Sequence, residues 1–247
     1  MNKKNILFFC IITAWIACVP SIQAQDKPSS KINITTDLVS RYIWRGLDYG
    51  KAPSIQPTFA YLKSEFEIGC WGAFNAIGTY HEADLYAKYT LKNFTIACTD
   101  YFIHNETKSN DTRYFDYGSK STNHTLEGSL QYKGSEKFPI SVLAATYFFG
   151  NDRAWGYDDE KDSTLENYYS TYFELGYTLK CKGKTVDLFM GLTPQAGAYG
   201  NTFGVINLGL TGYRTIQITD KFELPVKASL IANPQAGNLY FVIGITL

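Results

Sequence analysis

This chain of 247 residues has few cysteines, no formal net charge and few long apolar runs. Only three of its five cysteines follow residue 24, and this odd, widely spaced set provides no disulfide framework. Basic and acidic residues number 23 each, a balance that argues against a nucleic-acid partner. Beyond the N-terminal region, the longest mostly apolar run, 139–150, is too short for a transmembrane helix of about 20 residues. If the chain is embedded in a membrane, it therefore has to form a closed barrel.

Residues 1–24 are expected to form a secretory signal peptide. Lys3 and Lys4 precede an apolar run, and the small residue Ala24 suits cleavage after it. The alternative is a lipoprotein signal that ends at Cys18, which the bulky Trp15 disfavours. Cleavage after Ala24 leaves 223 residues with 21 basic and 23 acidic side chains, a net charge of −2.

Alternation of apolar and polar residues dominates the remaining sequence, most clearly over Lys31–Arg45. Successive side chains of a strand point to opposite faces, so this segment predicts a strand with one apolar and one polar face. Strands of about ten residues with this pattern are the units of a transmembrane β-barrel. We predict twelve, at 31–45, 54–62, 65–75, 81–91, 94–103, 123–132, 139–149, 167–179, 185–193, 203–218, 225–232 and 238–247.

The connections between these strands alternate in length. Longer loops follow odd-numbered strands, including the two polar stretches 104–122 and 150–166, and shorter turns follow even-numbered ones. Bacterial outer-membrane barrels have this arrangement, with short periplasmic turns, longer external loops and an even number of strands. The predicted fold is therefore all-β: a transmembrane antiparallel up-and-down β-barrel of about twelve strands over residues 25–247.

The first third of this region resembles a known bacterial family, the TorF-type porins. The resemblance is carried by the segments 37–46 (DLVSRYIWRG), 53–57 (PSIQP), 69–72 (GCWG) and 82–86 (EADLY). Beyond Ile103 only the rhythm of hairpins matches. The resemblance implies an outer-membrane barrel with pore activity rather than a catalytic motif. One departure is the final residue, Leu247, where many outer-membrane proteins end in an aromatic residue.

The polar faces of the predicted strands are mainly acidic. Nine acids are assigned to the interior against four bases, a local balance of −5, because Lys or Arg on the lipid face costs about 2–4 kcal/mol near the midplane. The acids are Asp37, Glu65, Glu67, Glu82, Asp84, Asp100, Glu127, Glu174 and Asp187, and the bases are Arg41, Arg45, Lys88 and Lys227. The alternation of 94–103, which carries Asp100, fits either facing. The predicted pore-lining residues are Asp37, Arg41, Arg45, Glu82, Asp84, Lys88, Glu127, Glu174, Asp187 and Lys227. The other interpretation is a narrow lumen whose charges pair across the barrel.

Two arginines lie near the outer end of the first predicted strand. Arg41 and Arg45 could form a constriction or anchor a folded-in loop, or they could pair with a neighbouring strand. Our hypothesis is that Arg45 pairs with an acid of the long loop, Asp111 or Asp116, and fixes that loop.

Three histidines give a weaker indication of chemistry. His81, His104 and His124 are predicted at the outer ends of neighbouring strands, with Ser121, Glu82 and Glu106 nearby in sequence. Such a group could act in acyl-chain hydrolysis or bind a metal ion, but no motif spacing supports either. We therefore expect no catalytic residue, metal site or cofactor.

Aromatic residues are abundant, with 19 Tyr, 16 Phe and 4 Trp. Five are assigned to the outward face near strand ends, as interfacial girdles require: Tyr42, Trp44, Tyr61, Tyr89 and Tyr177. Tyr168 and Tyr172 are assigned inward, either packing the lumen or lining a sugar-like passage.

The sequence thus predicts a porin-like channel in the bacterial outer membrane. We expect passive diffusion of small hydrophilic solutes with a mild preference for cations. The expected partners are outer-membrane lipid and these solutes, and no nucleic-acid partner is expected. The sequence does not define the oligomeric state. The alternative is a non-conducting barrel that supports the envelope or displays its loops, and an outer-membrane enzyme ranks third.

Overall fold

A computed structural model describes residues 30–104, 113–152, 166–181 and 184–247. The predicted signal peptide lies outside these residues. Within the described ranges no helix meets the length and hydropathy that a membrane-spanning helix requires. Fourteen strands occur there: β1 (Ser30–Val39), β2 (Tyr42–Trp44), β3 (Leu47–Tyr49), β4 (Ser54–Lys63), β5 (Phe66–Asn75), β6 (His81–Leu91), β7 (Phe94–His104), β8 (His124–Tyr132), β9 (Ile140–Gly150), β10 (Thr171–Cys181), β11 (Lys184–Thr193), β12 (Gly204–Thr219), β13 (Phe222–Asn233) and β14 (Asn238–Thr246).

Twelve of these strands form one closed antiparallel barrel. Strands β4 to β14 pair in chain order, and β1 lies between β4 and β14. The β1–β4 ladder runs over ten residues, from Ser30 opposite Lys63 to Val39 opposite Ser54. The β1–β14 ladder that closes the barrel is shorter and runs from Asp37 opposite Thr246 to Val39 opposite Gly244. The predicted twelve-stranded up-and-down barrel is confirmed.

The outer surface of the barrel is apolar because alternate residues of each strand point away from the lumen. Ile32 and Ile34 of β1 are 59% and 69% exposed, while Ala60 of β4, which points inward, is buried. A continuous apolar surface of this kind would be unfavourable in water and suits the hydrocarbon of a bilayer.

The connections divide the barrel into a short-turn end and a long-loop end. Two residues separate β4 from β5, β6 from β7, β10 from β11 and β12 from β13, and β8–β9 has the longer turn 133–139. Ser64 and Lys92 adopt positive φ in two of these turns, as tight reversals require. The opposite end carries the longest connections, so the predicted alternation holds in outline, but the β8–β9 turn 133–139 is longer than the opposite-end connections 76–80 and 234–237.

The first predicted strand, 31–45, is wrong beyond Val39. The chain leaves the wall at Ser40, and β2 pairs only with β3 in a separate two-stranded hairpin, from Tyr42 opposite Tyr49 to Trp44 opposite Leu47. The turn at Arg45 and Gly46, with φ of 50° and 77°, has the left-handed backbone of a tight hairpin. Residues 40–53 therefore fold into the barrel instead of extending its wall.

Strand β10 begins at Thr171 rather than at Asn167. The Asp152 side chain accepts hydrogen bonds from the Ser170 amide at 2.7 Å and the Ser170 hydroxyl at 2.5 Å, and Tyr169 has φ of 52°. Burial raises the pKa of the Asp152 carboxyl, and its bonds from Ser170 oppose that shift. These bonds hold the approach to β10 in a turn.

Candidate solute passage in the barrel lumen

The β2–β3 hairpin fills the middle of the lumen with aromatic packing. Tyr42 packs against Trp71 of β5, with ring centroids 5.4 Å apart, and against Tyr80 at 6.1 Å. Trp44 lies 5.5 Å from Tyr101 of β7 in an edge-on arrangement. Tyr42 and Trp44 were predicted to face lipid, and this prediction is wrong because the hairpin turns them inward.

A second aromatic group surrounds the tip of the hairpin. Tyr147, Tyr172, Tyr199 and Ile206 are buried together, and Trp44 and Tyr101 pack against them. Tyr199 comes from the β11–β12 loop rather than from a strand, so this loop also points into the barrel. The hairpin is thus held on several sides by the wall.

Arg45 at the hairpin tip crosses the lumen to Glu127 of β8. Its guanidinium makes two parallel contacts with the carboxylate, Nη1–Oε2 at 2.5 Å and Nη2–Oε1 at 3.0 Å. Nη1 also donates to the Tyr199 hydroxyl, and the guanidinium lies over the rings of Trp44 and Tyr172 at 4.3 and 4.6 Å. Arginine suits this place because its planar group can form a bidentate ion pair and stack at the same time.

The Arg45–Glu127 pair is almost completely removed from solvent. The two side chains are 8% and 3% exposed. Tyr101 donates to Oε1 of Glu127 at 3.1 Å and Tyr199 donates to Oε2 at 3.2 Å. Each carboxylate oxygen therefore accepts one hydrogen bond from Arg45 and one from a tyrosine. The partner of Arg45 is Glu127 and not Asp116, which lies 3.3 Å from Arg113, so the hypothesis is wrong for Asp116; Asp111 lies outside the described residues.

The backbone of the hairpin also touches the wall. A Cβ on Gly46 would lie 1.8 Å from the carbonyl oxygen of Ile206 in β12, so only glycine fits. Asn233 of β13 donates through Nδ2 to the Gly46 carbonyl at 3.2 Å. The tip of the hairpin is therefore fixed on both its side-chain and its backbone sides.

Two cavities lie on opposite sides of this tip. The larger, about 880 Å³, runs through the short-turn half of the lumen up to Arg45, and the smaller, about 440 Å³, lies between the hairpin and the β13–β14 loop. Polar side chains that line the larger cavity include Gln131, Ser141, Glu174, Thr178, Asp187, Asn207 and Thr211, together with Lys133, Ser135, Glu136 and Lys180 near the short-turn end. The smaller cavity is lined by Arg41, Gly46, Leu47, Asp48, Lys51, Asn233, Ala236, Asn238 and Tyr240. Because Arg45 borders one cavity and Gly46 the other, the hairpin tip separates them.

Two of the predicted lining acids border the larger cavity. Glu174 accepts hydrogen bonds from Tyr172 and, at 3.0 Å, from Asn207. Asp187 accepts one from Thr178 at 2.7 Å. Arg41, by contrast, lies at the smaller cavity, 3.1 Å from Asp48.

Glu82 and Asp84 point into the barrel but are covered by the hairpin. They are only 3% and 4% exposed, and neither borders either of these two cavities. Glu82 accepts a hydrogen bond from Tyr80 at 2.8 Å, and Asp84 accepts one from the amide of Phe102 at 3.3 Å. These carboxylates therefore contribute to packing beneath the hairpin.

The remaining predicted lining residues form ion pairs within the lumen. Lys227 lies 2.6 Å from Asp37, which also accepts a hydrogen bond from Thr246 at 2.6 Å. Lys88 lies 3.4 Å from Glu67. Pairing across strands thus neutralises part of the acidic excess that the sequence predicts.

Asp100 was counted among the inward acids, and this is wrong. Phe94 and Ile96 of β7 are exposed on the outer surface, and Asp100 shares their face. It is covered there by the segment 113–123, since Tyr117 donates to its carboxylate at 2.9 Å. A covering loop allows a charged residue on the outward face of the wall.

The three histidines lie on neighbouring strands, as predicted. His81 and His104 lie opposite each other in β6 and β7, with rings 5.3 Å apart. His124 is buried, with Nδ1 2.8 Å from Asp100 and Nε2 next to the carbonyl of Tyr114. His124 thus links the wall strand β7, through Asp100, to the covering loop, through Tyr114. Among the residues that the structure describes, no cluster of three or more histidine, cysteine or acidic side chains could hold a metal ion.

The residues that sequence reasoning missed are those that receive the hairpin. Tyr101, Tyr147 and Tyr199 come from two strands and a loop, and no spacing in the sequence connects them. The one local signal was the pair Arg45–Gly46, since glycine within an alternating segment is typical of a tight turn.

The fold and the lumen together define a twelve-stranded membrane-spanning β-barrel that carries an inserted hairpin. Comparison with solved structures finds a similar chain described as "KdgM porin", at 7% identity and a TM-score of 0.45, covering 88% of this chain and 98% of that one. A second, from a structure reported as "Unveiling the Mechanism Behind the in-meso Crystallization of Membrane Proteins", has 10% identity and a TM-score of 0.43, covering 87% and 82%. No family model and no curated protein matches the chain, so the TorF-type assignment stays a prediction.

Proposed function

We propose that the protein is a porin-like channel of the bacterial outer membrane, which passes small hydrophilic solutes by passive diffusion. The observation that carries this proposal is the polar cavity of about 880 Å³ that opens from the short-turn end and reaches Arg45. A lumen that only needed to be filled would be packed through its whole length. The inserted hairpin forms the constriction, and the smaller cavity continues the path toward the long-loop end.

The charges along the larger cavity support a mild preference for cations. Its lining includes Arg45, Lys133 and Lys180 against Glu136, Glu174 and Asp187. Arg45 is neutralised by Glu127, and Lys180 lies 3.9 Å from Glu136. This leaves Lys133 alone against two carboxylates, Glu174 and Asp187, that lie deeper in the cavity.

The test is single-channel conductance of the refolded protein in a planar bilayer, with the reversal potential measured under a salt gradient. We expect stepwise conductance and a reversal potential on the cation side. The double variant E174Q/D187N should move the reversal potential toward zero or to the anion side, because it removes the two uncompensated carboxylates.

The matched control is E82Q, which neutralises a carboxylate that the hairpin covers. It should leave the reversal potential unchanged, since Glu82 borders neither cavity. An equal shift in E82Q and E174Q/D187N would contradict the assignment of selectivity to the larger cavity. Anion preference in the unmodified protein would refute the proposed selectivity but not the channel.

A second candidate function is a closed barrel that displays its long loops. The observation in its favour is the tight fixation of the hairpin, whose Arg45–Glu127 pair is buried in the centre of the lumen. A folded protein without conductance would favour this function and would direct attention to the loop 104–122.

A further inference from the structure

Every connection at the short-turn end of the barrel carries or adjoins a lysine. The lysines at these five connections are Lys63, Lys92, Lys133, Lys137, Lys180, Lys184 and Lys221, and all of them are exposed. Because the connections follow one another around the barrel, these side chains form a basic ring at this end.

Part of this ring faces outward, away from the lumen. Lys63, Lys184 and Arg214 continue the alternation of the outward faces of β4, β11 and β12, in line with exposed residues such as Phe59, Leu188 and Leu210. Among the described residues at this end, no acid occupies an outward position of a strand. Glu65 and Glu223 fall on the inward alternation, Glu136 lies 3.9 Å from Lys180, and Asp220 is exposed in the β12–β13 turn beside Lys221.

An aromatic band lies directly beside these cations on the apolar surface. Outward-facing aromatic residues occur near the same ends of the strands, at Tyr61, Phe66, Tyr89, Phe94, Tyr132 and Tyr177. Phe94 and Tyr132 are in contact, with centroids 5.1 Å apart. Aromatic girdles mark the boundary between hydrocarbon and headgroups, so the cations next to this band lie at the depth of lipid phosphates.

The long-loop end lacks this excess of positive charge in its described residues. Its described basic residues, Arg41, Lys51, Arg113 and Lys120, are matched in number by Asp48, Asp116, Asp152 and Glu166. Arg41 and Arg113 lie 3.1 and 3.3 Å from Asp48 and Asp116. The two ends of the barrel thus present different charge to the two leaflets.

We propose that the outward cations Lys63, Lys184 and Arg214, with the lysines of the adjoining turns, bind the phosphate groups of anionic phospholipids of the phosphatidylglycerol class. Basic side chains next to a membrane surface attract anionic headgroups over about a Debye length. This interaction orients the barrel in the bilayer and sets its immersion depth. It is independent of whether the lumen conducts.

The test measures which lipids contact the folded barrel. Spin-labelled phosphatidylglycerol and phosphatidylcholine are compared by electron paramagnetic resonance in phosphatidylcholine bilayers, for the unmodified protein, for K63Q/K184Q/R214Q and for the control K51Q/R113Q/K120Q. The heat-dependent shift of gel mobility is measured for all three proteins to establish that each barrel is folded. The control removes the same number of charges from the long-loop end.

We expect the unmodified protein to prefer phosphatidylglycerol by at least about twofold at low salt, with the preference declining as salt screens the charges. The control should retain this preference, and K63Q/K184Q/R214Q should lose most of it. Equal contact of both lipids with the unmodified protein would overturn the proposal. An equal loss in both triple variants would also overturn it, because the preference would then follow net charge rather than the short-turn end.

Discussion

Arg45 combines three interactions that are usually distributed over several residues. It occupies a turn position with φ of 50°, pairs with Glu127 in a bidentate arrangement and stacks on Trp44 and Tyr172. A non-glycine residue with positive φ is strained, and a buried charge is costly unless it is paired. The arrangement persists because the partners across the lumen compensate for both costs.

The coupling between Arg45 and Glu127 can be measured by a double-mutant cycle. We expect R45M and E127Q each to destabilise the hairpin by about 3–5 kcal/mol, because each leaves the other group buried without its partner. The double variant R45M/E127Q should destabilise the hairpin by less than the sum of the two single-variant effects. Hydrogen exchange of the hairpin amides gives the local free energy of opening in each case.

The matched control for this cycle is K88M with E67Q, a pair that is partly exposed in the same lumen. It should show a coupling of about 1 kcal/mol or less. Strictly additive effects of R45M and E127Q would show that the ion pair does not hold the hairpin.

The predictability of individual residues depended on how local their surroundings are. The inward position of Glu174 and Asp187 follows from alternation alone, because neighbouring residues of the same strand define the face. The partner of Arg45 could not be predicted, since Glu127 is 82 residues away and reaches Arg45 only across the lumen. Asp100 was misplaced because a separate loop covers it on the outer surface.

At the scale of elements, the strands of the wall were predictable and the hairpin was not. A period of two identifies strands, and the lengths of the connections identify the two ends of a barrel. Tyr42 and Trp44 satisfy the same alternation whether they face lipid or an aromatic lumen, so the pattern cannot distinguish the two. Arg45 and Gly46 determine where the hairpin turns, because their left-handed backbone conformation reverses the chain.

Gly46 provides the sharpest test of the inserted hairpin. G46A should force the hairpin away from β12, because its Cβ would lie 1.8 Å from the carbonyl oxygen of Ile206. The expected result is faster proteolysis within residues 40–53 and a larger single-channel conductance.

The control is G237A, in a turn where φ is also positive, 69°, but where a Cβ meets nothing within 4 Å. It carries a similar backbone cost of about 1–2 kcal/mol without the clash, and should leave both conductance and proteolysis of residues 40–53 unchanged. If G46A and G237A behave alike, close packing of the hairpin on β12 is not what keeps it inserted.

At the scale of the whole molecule, the hairpin packs inside the barrel but takes no part in the strand pairing that forms the wall. None of the strand pairs of the twelve-stranded wall includes residues 40–53. Replacing residues 41–50 by a short glycine–serine linker should therefore leave the barrel folded, as judged by heat-dependent gel mobility. Single-channel conductance should rise, since the constriction is removed and the larger cavity then opens to the long-loop end.

The corresponding control replaces residues 234–237, the β13–β14 loop, by the same linker. It should not widen the channel, because the hairpin stays in place. A protein that is silent before the hairpin is removed and conducts afterwards would establish the hairpin as a plug, and no increase at all would contradict its role as the constriction.

Residues 40–53 leave the wall at Val39 and rejoin it at Ser54, which lie opposite each other at the same rim. The segment is therefore an insertion that enters and leaves the lumen at the same rim and does not cross to the other end of the barrel. Its length and composition can vary while the register of every wall strand stays constant. One scaffold of twelve strands can thus acquire a different permeability by exchanging this single insert, without any redesign of its lipid-facing surface.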